Sequence, residues 1–186
     1  LFRYSRIMAS VYNIDKYNPT QLENFFFDTN VWLYIFFPQG NYELKFQKKY
    51  TLFLDKLKKL NKSIFINSLV VSEFSNAYLN KSYQLWVKLP ANAAINKKQW
   101  RQSQHYTNTL QEVVAIINQL LKVSLKTNDD FNSINLNEVL NEMANKEFND
   151  SYYVLLGVDR NYKIVTHDAY IISDNNHNID VITANI

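Results

Sequence analysis

The chain has 186 residues, 47% of them hydrophobic and 15% aromatic, which suits one domain with a substantial core and excludes a disordered chain. Its net charge of +3 is a mild basic bias that permits an anionic partner without demanding one. The absence of cysteine excludes disulfides, thiolate catalysis and cysteine zinc sites, and with just two glycines, Gly40 and Gly157, Gly-rich phosphate loops are excluded as well. The chemistry is therefore expected to rest on side chains. No uncharged apolar run reaches about 18 residues, so no membrane span is expected, and without a basic-then-apolar signal at its start the chain is expected in the cytoplasm.

Residues 1–22 form an N-terminal arm; residues 1–7 precede Met8 and are set aside as a leader. Phe25, Phe26 and Phe27 follow as a short strand, apolar on both faces, as expected in the middle of a parallel sheet covered by helices. Asp28 ends that strand, where open α/β sheets place their ligand sites. Asp28, Thr29 and Asn30 can each cap the apolar helix that runs to Phe37. Two readings of Asp28 stand side by side. One is a helix cap, worth about 1 kcal/mol. The other is a carboxylate in an apolar setting, which calls for a cation or donors.

After a turn at 38–41, residues 43–60 carry a helical stripe of Phe46, Tyr50, Phe53, Leu54, Leu57 and Leu60. Lysines cover its other faces, as a solvated surface or a phosphate-contacting ridge. A buried strand over 63–67 leads through Ser68, as N-cap, into a helix to about residue 87. Glu73 lies in the second turn of that helix, with Asn76 and Asn80 on the same face. A break at 90–96 precedes a long helix over 97–125, with Leu110, Val113, Val114, Ile117 and Leu121 as its buried stripe. Trp86, Trp100, Tyr83 and Tyr106 flank the break beside Lys97, Lys98 and Arg101, and packing between helices is favoured over base stacking. A polar loop, a brief extended piece at 134–136 and another helix follow. Asp150 opens a further helix with Gly157 near its end, 162–166 form a strand with His167 and Asp168 at its carboxyl end, and 181–183 form the last strand. Strands alternating with helices indicate an α/β fold with a mainly parallel sheet.

Asp28, Glu73, Asp150 and Asp168 thus converge on one edge of the sheet. Clustered carboxylates repel unless a hard cation neutralises them, and Mg²⁺ and Mn²⁺ favour such oxygen ligands. Phe27-Asp28-Thr29-Asn30, Ser72-Glu73-Phe74, Asn149-Asp150-Ser151 and Val165-Thr166-His167-Asp168 occur in the order of the PIN-domain family, which includes VapC-type toxins, and the chain resembles that family over most of residues 25–182. The resemblance implies a single three-layer α/β/α sandwich and a Mg²⁺- or Mn²⁺-dependent endoribonuclease, the toxin of a toxin–antitoxin pair. It also implies the four acids as catalytic metal ligands, with Thr29, Asn30 and Thr166 orienting them. RNA is then the substrate and an antitoxin a partner; separately, the stripe at Leu110, Val113, Val114, Ile117 and Leu121 raises homodimerisation as an expectation, with packing within the chain as its competitor. Residues 81–128 stand out as an extended helical insertion that the family's shorter members lack. His167 is read as structural, since strand alternation points it away from Thr166 and Asp168. The rivals are a haloacid-dehalogenase-type phosphatase, which needs a second Asp where this chain has Asn30, a PIN-like module that binds RNA or protein without cutting, and an RNA-processing nuclease without a toxin role.

Overall fold

The computed structural model describes residues 9–37 and 43–186; the leader at 1–7 and the turn at 38–41 lie outside the described residues. The elements in order are β1 (Ser10–Asn13), β2 (Asn24–Phe27), α1 (Thr29–Phe36), α2 (Leu44–Lys59), β3 (Ile64–Ile66), α3 (Ser68–Trp86), α4 (Lys97–Trp100), α5 (Gln104–Val123), β4 (Leu125–Lys126), α6 (Leu136–Glu142), α7 (Phe148–Arg160), β5 (Tyr162–Val165), α8 (Ala169–Ile172) and β6 (Asp180–Thr183), with a 3₁₀ turn at Pro90–Asn92. The six strands form one sheet in the order β1-β6-β5-β2-β3-β4, and every pairing is parallel.

Parallel strands need helical crossovers, which cover both faces and demand strands apolar on both sides. The phenylalanine triplet meets that demand. Phe25 and Phe27 pack against Phe53 of α2, while Phe26 packs against Tyr153 of α7 and Tyr162, and all three are at most 1% exposed. Each such burial is worth roughly 1.5–3 kcal/mol. The result is the α/β/α sandwich expected of a PIN-like fold.

Two strands escape the hydrophobic pattern. β1 lies inside the stretch read as an arm, yet it pairs in register with β6 through its backbone, Val11 opposite Val181. β4 is two exposed residues against β3. Both are edge strands, and backbone pairing at an edge needs little apolar alternation. No strand forms over residues 134–136: Ile134 is buried ahead of α6.

The long helix expected over 97–125 is divided. Asn96 and Gln99 form a reciprocal capping box at the start of α4, and the Ser103 side chain accepts from the Tyr106 amide to start α5 afresh. α5 packs on α3 with Thr109, Val113 and Leu120 inward, so Leu110 and Val114 of the expected stripe are exposed instead. The helical period was right, and its phase was set by the partner helix. α3 starts one residue earlier than read: Asn67 is its cap, accepting from the Val70 amide at 3.0 Å. Gly157 lies within α7, which continues to Arg160 and ends at Asn161 in the left-handed region. A Cβ at Gly157 would sit 2.7 Å from Ile164 Cδ1, so the glycine permits the close approach of α7 to β5.

Lysines of α2 hold the N-terminal segment. Lys56 donates to the Tyr17 carbonyl at 2.6 Å and Asn18 at 2.9 Å, Lys49 pairs with Asp15 at 2.5 Å, and Lys62, just beyond the helix, donates to the Thr20 carbonyl.

Candidate functional site

In an all-parallel sheet every strand ends on the same edge. The chain leaves β2 for β3 on one side, while β5 lies on the other, so the carboxyl end of β2 is the divide where open α/β sheets bind ligands. A cleft of about 180 Å³ opens there, and Asp28, Glu73, Asp150 and Asp168 all line it. Thr29, Asn30, Leu33, Ala77, Glu147 and Tyr170 complete its wall. No lysine or arginine is among the lining residues.

Asp28 is 3% exposed and occupies the N-cap position of α1, but its side chain makes no cap hydrogen bond. The capping reading is therefore set aside. Its Oδ2 accepts from Thr166 Oγ1 at 2.6 Å and from Asn30 Nδ2 at 2.5 Å. Burial, joined by repulsion from Glu73, Asp150 and Asp168, pushes its carboxyl up to about 8 against the donation from Thr166. Asp168 does cap a helix: its Oδ1 accepts from the Tyr170 amide at 2.7 Å and the Ile171 amide at 3.3 Å. Burial, then Asp168, Glu147 and Glu73, raise the Asp150 carboxyl to about 7.

Glu73 projects from α3 into a ring of donors. Its Oε2 accepts from Thr29 Oγ1 at 2.9 Å, Tyr153 Oη at 3.0 Å and Asn149 Nδ2 at 3.1 Å. Ala77, one turn on, also lines the cleft, whereas Asn76 and Asn80 are exposed. Asn149 and Tyr153 were not anticipated. Their spacing of four along α7 is the signal that was there to find, since it places both on one helix face. Glu147, a fifth acid at the rim, was missed because it precedes the helix rather than ending a strand.

Asn30 and Thr166 tie the two strand ends together. The Asn30 Oδ1 accepts from the His167 amide at 3.1 Å, and Thr166 Oγ1 accepts from the Asp168 amide at 2.9 Å. His167 turns away from the acids. Its ring packs against Tyr34 and Phe46 at centroid distances of 4.8 and 4.5 Å, with Nδ1 2.9 Å from Tyr50 Oη. Burial lowers its pKa, which favours the neutral ring. Tyr50, also 3.0 Å from the Thr166 carbonyl, braces this turn from α2.

Among the described residues, one group brings three ligand atoms within 4.8 Å of one another: Glu142, Asp174 and His177. It borders a second cavity, of about 710 Å³, that shares Glu147 and Tyr170 with the cleft. Lys146 enters the group, pairing with Asp174 and with Glu142 at 3.1 Å, so its charge is balanced internally. Asp174 accepts from the His177 amide at 2.9 Å, and His177 Nε2 lies 3.1 Å from Glu138. These pairs make a clamp between α6, the start of α7 and the loop after α8.

The cleft acids are more widely set: no three of them bring carboxylate oxygens within 4.8 Å of one another among the described residues. Hard oxygen donors around a cation-free cleft fit Mg²⁺ or Mn²⁺, and Mg²⁺ usually keeps several of its waters and takes one or two carboxylates directly.

No family model matches the chain, and no curated protein matches it. Among solved structures, the fold is similar to a chain in the crystal structure of VapBC2 from Rickettsia felis bound to a DNA fragment from their promoter. The TM-score is 0.55 at 14% identity, with 86% of this chain and 98% of that chain covered. The likeness is one of fold, consistent with a PIN-like α/β/α sandwich. No helix among the described residues is long and apolar enough to cross a membrane.

Proposed function

We propose that the protein is a Mg²⁺- or Mn²⁺-dependent endoribonuclease, acting in the cytoplasm as the toxin of a toxin–antitoxin pair. The observation that carries this reading is the cleft at the centre of the sheet edge, walled by Asp28, Glu73, Asp150 and Asp168 with no cation among its lining residues. Two of those carboxyls are raised to about 8 and about 7, which marks charge that the chain itself leaves unbalanced. The toxin role draws on the fold shared with a VapBC2 complex, and an antitoxin is the expected partner.

Asp28, Glu73, Asp150 and Asp168 would hold the divalent ion. When bound, such an ion lowers the pKa of a water and neutralises charge on a phosphoryl oxygen. Thr166 and Asn30 aim the Asp28 carboxylate into the cleft, while Thr29, Asn149 and Tyr153 fix Glu73. Ionised carboxylates would repel RNA phosphate, and a bound divalent cation would offset that repulsion, which couples binding of substrate to binding of metal.

Incubation with total cellular RNA and Mn²⁺ or Mg²⁺, followed by mapping of the new ends, tests the reading. A sharp set of cuts, abolished by EDTA, is expected. Asp28→Asn should lower the rate by orders of magnitude, and Asp159→Asn, exposed on α7, should leave it unchanged. Equal rates for Asp28→Asn and the wild type in saturating Mn²⁺ would place the chemistry elsewhere, and a protein that binds RNA without cutting it is the non-catalytic module. Expression alone should arrest growth, with rescue by a co-expressed partner; harmless expression of active protein would remove the toxin role.

A further inference from the structure

Residues 74–111 contain five cations, Lys81, Lys88, Lys97, Lys98 and Arg101, and no Asp or Glu. The remainder of the chain holds fifteen Lys and Arg against seventeen Asp and Glu, so the net positive charge of the protein resides in this one segment. Its cations fall within residues 81–101, from the second half of α3 through the 3₁₀ turn and α4, toward the far end of the hairpin that α3 makes with α5. Lys88, Lys97, Lys98 and Arg101 are exposed, and none of them forms an ion pair among the described residues. Lys97 donates to Asn80 at 3.1 Å, a neutral acceptor that leaves its charge intact.

Trp100 anchors the tip, and Tyr83, Trp86 and Tyr106 are half-buried around it. Trp100 is fully buried against Tyr83, Tyr106 and His105, donating Nε1–H to His105 Nδ1 at 3.0 Å, and Trp86 stacks on His105. Their contacts are with one another, which favours packing over base stacking, and Lys88, Lys97, Lys98 and Arg101 are left as exposed positive charge. A cationic surface without acids is the footprint of a phosphate backbone. The α3 helix that carries Glu73 also carries this tip, and at 1.5 Å per residue the two lie about 20 Å apart along its axis.

We propose that the acid-free tip of the hairpin is a backbone-phosphate site for RNA, which grips the substrate about 20 Å from the acidic cleft. The proposal rests on the ribonuclease reading and names the part of the chain that gives a polyanion its purchase beside a cleft that repels one. It also assigns a use to the insertion. A duplex strand covers such a span only with several nucleotides, so the site serves a structured RNA and not a trinucleotide.

The test compares the wild type with a quadruple variant, Lys88→Gln, Lys97→Gln, Lys98→Gln and Arg101→Gln. A charge-matched control carries Lys45→Gln, Lys48→Gln, Lys58→Gln and Lys59→Gln on α2. Binding of a fluorescently labelled stem–loop RNA is read by anisotropy in EDTA, where no cleavage occurs, over a range of salt. The tip variant should bind at least about tenfold more weakly, with a salt slope shallower by about 0.7 per lost phosphate contact, and the α2 control should bind as the wild type. With Mn²⁺, the tip variant should show a raised KM on the stem–loop with kcat kept, and an unchanged rate on a trinucleotide. Unaltered stem–loop binding by the tip variant, or equal loss in the α2 control, overturns the proposal. A tip-dependent preference for duplex DNA over the stem–loop also overturns it. Absence of any cleavage by the wild type would instead count against the ribonuclease reading, while the anisotropy still decides the binding site.

Discussion

The Thr166 hydroxyl donates to the Asp28 carboxylate at 2.6 Å and accepts from the Asp168 amide at 2.9 Å. One side chain thus joins the carboxyl ends of β2 and β5 and stabilises the ionised form of the most buried acid in the cleft. Thr166→Val keeps the shape and removes the donor. It should raise the Asp28 carboxyl further, cost about 1–3 kcal/mol of stability, and weaken divalent-ion binding or activity about tenfold to hundredfold. Thr166→Ser should restore most of both. Calorimetric titration with Mn²⁺ beside a thermal melt separates the two effects; unaltered Mn²⁺ affinity in Thr166→Val would remove the orienting role.

The raised carboxyls give the metal-free protein a defined pH response. Asp28, at about 8, and Asp150, at about 7, both lie above their unfolded value near 3.9. Their contribution to stability is therefore present below that value and lost as pH rises through about 7 to 8. A divalent ion needs them ionised, so Mn²⁺ should bind more tightly, and raise Tm more, near pH 8.5 than near pH 5.5. Asp28→Asn should gain stability over the metal-free wild type, increasingly so toward pH 8. Melting curves with and without Mn²⁺ across this range check both signs; an Mn²⁺ effect that is flat with pH would exclude these two acids as ligands.

Glu73 depends on a residue that contributes no charge. Tyr153 is 1% exposed, its ring lies 5.2 Å from that of Phe26, and its hydroxyl donates to Glu73 at 3.0 Å. Tyr153→Phe keeps the packing and should cost about 1 kcal/mol in stability, with activity down about tenfold. Tyr153→Ala also opens a cavity, and roughly 3–5 kcal/mol is expected. If Tyr153→Phe retains full activity, Thr29 and Asn149 suffice to place the carboxylate.

The clamp around Asp174 adds a second pH response, in which His177 acts in the same sense as the cleft acids and Asp174 in the opposite sense. Hydrogen bonding to Asp174 outweighs burial and raises the His177 pKa. Burial would raise Asp174, but donation from His177 and Lys146 holds it well below the usual carboxylate range. The His177 contribution is complete below about pH 6.5 and lost as pH rises through its raised folded value, and that of Asp174 is complete above about pH 4 and lost in stronger acid. His177→Gln should therefore destabilise by about 1–3 kcal/mol near pH 6 and by less near pH 9. Urea melts at the two pH values measure it; an equal loss at both would show that the His177 charge contributes nothing.

Local chemistry was enough to read much of this protein from its chain. The phenylalanine triplet declares a strand buried on both faces, the stripes at Tyr50, Phe53 and Leu57 declare an amphipathic helix, and the acids fall at the ends of those elements. Such features depend on neighbours a few positions away, and period and capping residues encode them directly. Tertiary structure decided what depends on distant partners. β1 is a strand because β6 lies beside it, and the inward face of α5 is set by α3. Asp28 alone was ambiguous between a cap and a buried charge. The hydroxyl that holds it comes from a residue 138 positions away, and the three acids that raise its carboxyl come from separate elements. Burial and Coulomb repulsion act through space, so the protonation of that carboxyl is a property of the folded sheet edge and of no segment by itself.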